Sequence, residues 1–365
     1  MAAFEPLDIA GEPRARGRAY GQAMARRIRA HLADWLDVVG RAVEGDPQAH
    51  VAAMLRDTDF KSAIARHTPD LLAEVEGIAE GAGAPADLVF ALQLLDEEWA
   101  YRLSRTGAVP KLEKCSSLAI VSAGGPTWIG QNMDLGAYTD GHQALLRIGA
   151  DARGPAALVF TVAGMLGLMG VNAAGVGVCV NSIPQLPSAP RGVPVAFVLR
   201  RVLQARSLAE AVDLMFALPH ATNQHYVLAE HGAVRSFEAG SQGVTEFRPP
   251  EPDRVLHTNH PLSDAPAKAE TEAARRNSVA RLKSLRGRLA AGSPGFPEIA
   301  AALAAFDDPD HPVCRLADSK GFLIGFTTGS MISALSPGRV ESWVSDGPPS
   351  ARPYIRASPS AEPVA

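Results

Sequence analysis

A chain of 365 residues can bury one large core or two smaller ones. Its make-up, 47% hydrophobic and 20% charged with a formal net charge of −4, is that of a soluble globular protein and gives no reason to expect a nucleic-acid partner. Three cysteines, Cys115, Cys179 and Cys314, with no CxxC spacing, exclude a disulfide scaffold and point to a reducing, cytoplasmic setting.

In chain order, residues 12–105 read as helical. "RAYGQAMARRIRAHLADWLDVVGRAVEG" carries apolar residues at helical spacing, and the basic cluster over 14–29 (Arg14, Arg16, Arg18, Arg26, Arg27, Arg29) reads as a solvated helix face. "PDLLAEVEGIAEGAGAPADLVFALQLLDEEWAYRL" predicts two helices split by Gly81–Pro85. The pattern changes near residue 115. "CSSLAIVS" and "TWIGQNM" read as strands joined at Gly124-Gly125-Pro126, a hairpin, followed by "ALLRIGA", "ALVFTVA" and "GVGVCVNSI". The run from Gly154 to Pro190 has no charge, but its glycines, asparagines and short β-rich pieces predict buried strands rather than a membrane span. Helical "PVAFVLRRVLQA" follows, and Ser207-Leu208-Ala209-Glu210 is a capping box opening the next helix. Strands return at "HYVLAE", "AVRSFEA", "VTEFRP" and "RVLHTNH". Helices are expected over 267–290 and 296–305, then strands in "GFLIGFTTGSMISAL" and "RVESWVSD". The sequence after Pro348 is rich in Pro, Ser and Ala and is expected to fray. Antiparallel strands with grouped helices predict an α+β layered fold. Neither a P-loop nor a dinucleotide-binding glycine motif is present, nor an HExxH or clustered Cys/His metal site.

A single cysteine is ordinarily a small buried hydrophobe, and Cys179 and Cys314 read that way. Cys115 begins a strand, with charged Glu113-Lys114 before it and Ser116-Ser117 after it. A cysteine nucleophile needs a base and an oxyanion donor. The base could be one of His220, His225, His257 and His260, although none sits in a cysteine-protease signature. His257 and His260, three apart on a strand, would face opposite sides, against a shared metal. Alternatively the base is the α-amine of Cys115 itself, if the chain is cut before it; such an amine has a pKa of about 7.7–8.

Five segments, in order, resemble the acyl-coenzyme A:6-aminopenicillanic acid acyltransferase family (peptidase family C45), a branch of the N-terminal-nucleophile (Ntn) hydrolases: "RARGRAYGQAMARRI", "EVEGIAEGAGAPADLVFAL", "CSSLAIVS…WIGQNMDL", "GMLGLMGVNAAGVGVCVN" and "VLHTNH". The resemblance spans roughly residues 10–350. It implies an Ntn-hydrolase αββα sandwich, two antiparallel sheets between helix layers with a helical N-terminal segment. It also implies self-cleavage between Lys114 and Cys115 by an N-to-S acyl shift, dividing the chain into residues 1–114 and a catalytic core of 115–350, before a frayed tail of 351–365. The two pieces would stay together as a heterodimer. By the same resemblance Cys115 matches the nucleophile, Asp134 the residue that orients its amine, and Asn259 the oxyanion donor. Asn181 matches a second polar oxyanion or substrate contact. The substrate would be a small acyl amide or thioester, with a coenzyme A thioester one candidate and no resident cofactor. Three positions depart from the family's penicillin-forming members: Lys114 stands for Gly before the cysteine, Met133 replaces the Trp of Gly-Gln-Asn-Trp-Asp, and "FLIGFTTGSMI" lacks their Arg. Two rival readings are an unprocessed Cys–His thiol hydrolase and a non-catalytic relative that only binds.

Overall fold

The computed structural model describes residues 4–106, 115–265, 267–268, 272–290, 292–316 and 325–360. Lys114, the first residue of the expected scissile pair, lies outside them.

The N-terminal third forms α1 (Pro13–Ala23), α2 (Ala25–Val43), α3 (Pro47–Asp57), α4 (Phe60–His67), α5 (Pro69–Ala82), α6 (Ala86–Leu92) and α7 (Leu95–Thr106). The break between α5 and α6 falls on Gly83, whose φ of 58° ends the helix in the left-handed conformation glycine adopts without penalty. This third is not purely helical. A three-residue strand, β1 (Leu7–Ile9), too short to show a periodicity, pairs in parallel with β4 (Gln143–Ile148), so one sheet is mixed rather than antiparallel throughout.

Helices α1 and α5 touch backbone to backbone. A Cβ on Gly17 would lie 2.0 Å from the Glu74 carbonyl oxygen, one on Gly77 2.1 Å from that of Arg14, and one on Gly81 2.1 Å from that of Arg18. Only hydrogen fits there, which accounts for the glycines of "RARGRAYG" and "EVEGIAEG". The contact buries Arg16, contrary to the solvated-face expectation. Its guanidinium pairs with buried Glu74 at 2.6 Å, and Arg200 pairs with the same carboxylate at 3.0 Å. Arg14 and Arg18 do stay exposed, sharing Glu80.

Among the described residues, fourteen strands make two sheets. The larger runs β1-β4-β5-β6-β7-β8-β9-β10, with β5 (Ala157–Val162), β6 (Met169–Asn172), β7 (Gly177–Ser182), β8 (Gln224–Glu230), β9 (Ala233–Gly240) and β10 (Gly243–Glu246). The smaller runs β11-β2-β3-β12-β13-β14, with β2 (Ser116–Val121), β3 (Thr127–Gly136), β11 (Arg254–His257), β12 (Gly325–Ser336), β13 (Arg339–Ser345) and β14 (Ile355–Ala357). β14 corrects the frayed-tail expectation: it pairs with β13, Arg356 lies over the Trp343 ring, and Tyr354 bonds Ser330. Residues 361–365 of that expected tail are outside the described residues.

The sheets pack face to face, β2 and β3 against β7 and β8. Alternation along β2 divides its side chains. Leu118 and Ile120 join Leu282, Leu285, Leu289, Ile299 and Leu303 in an outer core beneath α10 (Glu272–Leu289) and α11 (Phe296–Leu303). Cys115 and Ala119 join the larger core, which runs between the sheets and on into the N-terminal helices. Helices α8 (Val195–Val202) and α9 (Leu208–Ala217) pack against β7 and β8 of the larger sheet. At α9, Ser207 accepts from the Glu210 N–H, but the Glu210 carboxylate reaches the Arg206 N–H, so the expected capping box closes one residue early. The layers are the expected αββα order. Among the described residues no helix is long and apolar enough to cross a membrane.

Candidate active site

Cys115 stands at the head of β2, buried, with its Sγ 3.6 Å from the Met133 sulfur and directed at the Asp134 carbonyl oxygen 3.9 Å away. It looks into a gap in the opposite sheet. β6 pairs with β7 only at Gly177 and Val178, so the main chain of Val180 lies past its end. Gln131 of β3 fills that vacancy: its Oε1 accepts from the Val180 N–H at 2.9 Å and its Nε2 donates to the Val180 carbonyl. The Gln of "GQNMD" is therefore a clasp between sheets. Beside the clasp opens a narrow pocket lined by Cys115, Met133, Leu135, Met165, Leu168 and Val180 among others.

The wall of this pocket at residues 163–168 is held from three sides. The Gly164 N–H donates to the Tyr20 hydroxyl at 2.8 Å; Gln93 accepts from the Leu166 N–H at 2.8 Å and donates to the Gly164 carbonyl at 2.7 Å; Arg200 donates to the Leu166 carbonyl at 2.9 Å. Tyr20 and Gln93 belong to the N-terminal segment, which thus builds the pocket together with the core.

Asp134 lies on the other face of β3 from Met133, fully buried. Its Oδ1 accepts from the Thr327 hydroxyl at 2.8 Å, beside a bulge of β12 between Thr327 and Gly329. Gly329 is required there, since a Cβ would lie 2.0 Å from the Phe160 ring. From that face Asp134 interacts with the charge of Arg281, on the side of the sheet away from the Cys115 sulfur.

Sequence reasoning missed Arg281. Its guanidinium, fully buried on the inner face of α10, donates to the Cys115 carbonyl at 2.5 Å, to Ser116 Oγ at 3.0 Å and to Asn259 Oδ1 at 2.8 Å. Burial lowers its pKa to about 10, against the opposing pull of Asp134 and Cys115. It is still a cation at neutral pH, and it ties the head of β2 to Asn259. The only signal in sequence is the i, i+4 pairing of Asn277 with Arg281, whose side chains hydrogen-bond at 3.0 Å, and eight other polar side chains of the helix obscure it.

Asn259 is brought to the site. Its Nδ2 donates to the carbonyl of Ser182, a pocket residue, at 2.8 Å, leaving its second N–H for another acceptor. Its main-chain N–H donates to Ser278 Oγ at 2.8 Å, and Ser278 also bonds Thr258 and His260, so α10 fixes the last three residues of His-Thr-Asn-His. Asn181 projects between the sheets and meets Ser117, two residues along the chain from Cys115. Its Oδ1 accepts from Ser117 Oγ and bonds His225 Nδ1 at 3.2 Å, and its buried Nδ2 has no hydrogen-bond partner among the described residues.

The four histidines considered as bases are each engaged. His220 bonds the Met215 carbonyl; His225 bonds Asn181 and Ser236 and stacks on His257 with ring centroids 3.6 Å apart; His257 bonds Glu238 at 3.1 Å; His260 bonds Ser278 at 2.7 Å. Burial pushes the pKa of His225 well below the ordinary value, helped by His257, and that of His260 down to about 4. Glu238 is held below the usual carboxylate range: burial opposes ionisation, but hydrogen bonds from His257, Ser263 and Leu262 outweigh it. Among the described residues no group of three or more His, Cys, Asp or Glu is placed to hold a metal ion. Asn172, in the glycine-rich run, is structural, donating to the Leu203 and Ala205 carbonyls and accepting from Ala174 and Val176.

A family model described as acyl-coenzyme A:6-aminopenicillanic acid acyl-transferase matches residues 121–323, more than half of the chain. The stretch holds Asp134, Asn181, Asn259 and Arg281 and begins just past Cys115. The 40 kDa form of acyl-coenzyme A:6-aminopenicillanic-acid-acyltransferase from Emericella nidulans is 25% identical over 275 residues, covering 73% of this chain and 72% of that one. Two solved structures are similar at a lower level. An N-acylethanolamine-hydrolyzing acid amidase ortholog from Caenorhabditis elegans is 13% identical, with a TM-score of 0.45, over 62% of this chain and 94% of that one. The C2A mutant of conjugated bile acid hydrolase from Clostridium perfringens is 14% identical, with a TM-score of 0.43, over 62% and 88%. On the match over residues 121–323, the chain belongs to the acyl-coenzyme A:6-aminopenicillanic acid acyl-transferase family.

Proposed function

We propose that the chain is a self-processing cysteine N-terminal-nucleophile amidohydrolase or acyltransferase acting on a small acyl amide or acyl thioester. The observation that carries this reading is the placement of Cys115. Its thiol faces an apolar pocket, while its main chain lies against Arg281 on the side of the strand that Asp134 also faces.

In the first step the Cys115 thiol attacks the Lys114 carbonyl, the peptide bond becomes a thioester, and water releases the new N-terminus. In turnover the freed α-amine takes the thiol proton. The sulfur attacks the substrate carbonyl, and the tetrahedral oxyanion is met by the remaining Asn259 N–H, with the Asn181 Nδ2 as a second donor. The leaving amine or thiol departs with the proton. The acyl group then passes from sulfur to water or to an acceptor amine. Asp134, with Thr327 holding one oxygen, orients the ammonium form of the α-amine.

The pieces of such a cut would remain one particle. β1 is hydrogen-bonded into the large sheet, α1 to α7 contribute to the main core, and Tyr20 and Gln93 hold the pocket wall.

The test is to trap the acyl group. The wild-type protein, quenched in acid during turnover of a short-chain acyl thioester, gains the mass of one acyl group on the fragment that begins at Cys115. Cys115→Ala gains none. Acylation of both proteins, or of neither, overturns the assignment.

A further inference from the structure

The pocket before Cys115 carries one acidic side chain. Asp96, on the first turn of α7, lines it together with Cys115, Met133 and Gln224. Asp96 also lines an adjoining cleft that reaches Trp35, Trp99 and Arg102, and so stands where the two spaces meet. The other acids of that turn are committed to the fold. Glu97 accepts from the Val195 N–H at 3.0 Å and from Thr222 at 2.8 Å, and Glu98 pairs with His50 and Arg102. Asp96 forms no ion pair among the described residues; the Gln224 amide donates to one of its oxygens.

A helix N-terminus welcomes a carboxylate, but that does not require the side chain to face an apolar cavity beside a nucleophile. The position is costly as it stands. Burial raises the Asp96 pKa. The charge of Asp96 also acts on the neighbouring Glu97, whose Oε2 is buried with no hydrogen-bond partner among the described residues, and helps burial push the pKa of that carboxyl up to about 7. A cation entering the pocket would offset both terms.

We infer that Asp96 is a specificity-determining residue: it pairs with an ammonium group of the substrate while the acyl carbonyl lies at Cys115. This deepens the reading of Cys115 as the nucleophile and rests on it. The pairing places the ammonium at the junction of the two cavities, with the apolar part of the substrate against Met133, Leu135 and Met165.

The experiment uses pairs of chloromethyl ketones of graded chain length, identical except that one ends in an ammonium and the other in a methyl group. Both alkylate Cys115, and intact mass gives the second-order rate for each. In the wild type the ammonium member of the best-fitting pair reacts at least about tenfold faster, the gain expected of a charged hydrogen bond in a pocket. Asp96→Asn brings the ratio between the two members to about one, and Asp96→Glu restores part of it. Because the readout is a ratio within one protein, a general loss of reactivity does not mimic the result. A wild type with no ammonium preference, or a preference that persists in Asp96→Asn, overturns the role of Asp96 alone. Failure of both ketones to label Cys115 in the native wild type overturns the nucleophile reading and the inference with it.

Discussion

The guanidinium of Arg281 donates at once to the main-chain carbonyl of Cys115 and to the side-chain oxygen of Asn259. One rigid fork, fixed on α10, thereby sets the distance between the residue proposed to attack and the residue proposed to receive the oxyanion. Lysine keeps the charge but cannot make that fork. Arg281→Lys is therefore expected to lower kcat by about a hundredfold with KM changed only a few-fold, the signature of a misplaced transition-state contact. Steady-state kinetics on the folded variant, checked by circular dichroism, tests this; an unchanged kcat would show that the fork serves stability only.

The glycine contact of α1 with α5 makes a prediction about stability. In Gly17→Ala the added methyl would meet the Glu74 carbonyl oxygen at 2.0 Å, and in Gly77→Ala that of Arg14 at 2.1 Å. Neither neighbour is a movable side-chain tip. Each variant is expected to lose about 3 kcal/mol, the cost of overpacking with backbone displacement, where the same change at Gly287, which has open space, costs nothing. Urea unfolding midpoints decide it.

Glu97 supplies a pH dependence with a definite sign. Burial, and then the neighbouring Asp96, push its pKa to about 7 from 4.5. The folded state thus holds a proton that the unfolded chain has released between those values. The associated stability is fully present below pH 4.5, falls as pH rises, and is lost by about pH 7. Glu97→Gln keeps the acceptor used by Val195 and Thr222 without the charge, so its advantage over wild type should grow from pH 5 to pH 8, by up to about 3 kcal/mol. Parallel urea titrations at the two pH values measure the difference; a constant offset would contradict the account.

Much of the fold was legible in sequence because its signals are local. The Cys115–Asp134 hairpin spans few residues, has a glycine turn and alternates cleanly, so its register and the neighbourhood of its two ends follow from the strand pattern. The helix break at Gly83 and the two helices near 272–303 were equally plain. What could not be read depends on distant partners. β1 and β14 are three residues each and exist because an edge strand offers them hydrogen bonds. Arg16 looks like any surface arginine until Glu74 and Arg200 are brought to it. Asn259 was identifiable only through the resemblance of its motif, and Arg281 was hidden among the other charges of α10. The Gln of "GQNMD" and the Asn of "GVNAAG" prove to bond main chain, a role that no residue pattern distinguishes from substrate binding.

The central claim, that Cys115 becomes an N-terminal nucleophile, is tested most directly by the intact mass of purified wild type beside Cys115→Ala under denaturing conditions. The account predicts that the 38.4 kDa wild-type chain appears as two pieces of about 12 and about 26 kDa, the larger beginning at Cys115, and that the variant stays whole. A wild type that remains a single chain while active would contradict it, because the proposed base would then not exist.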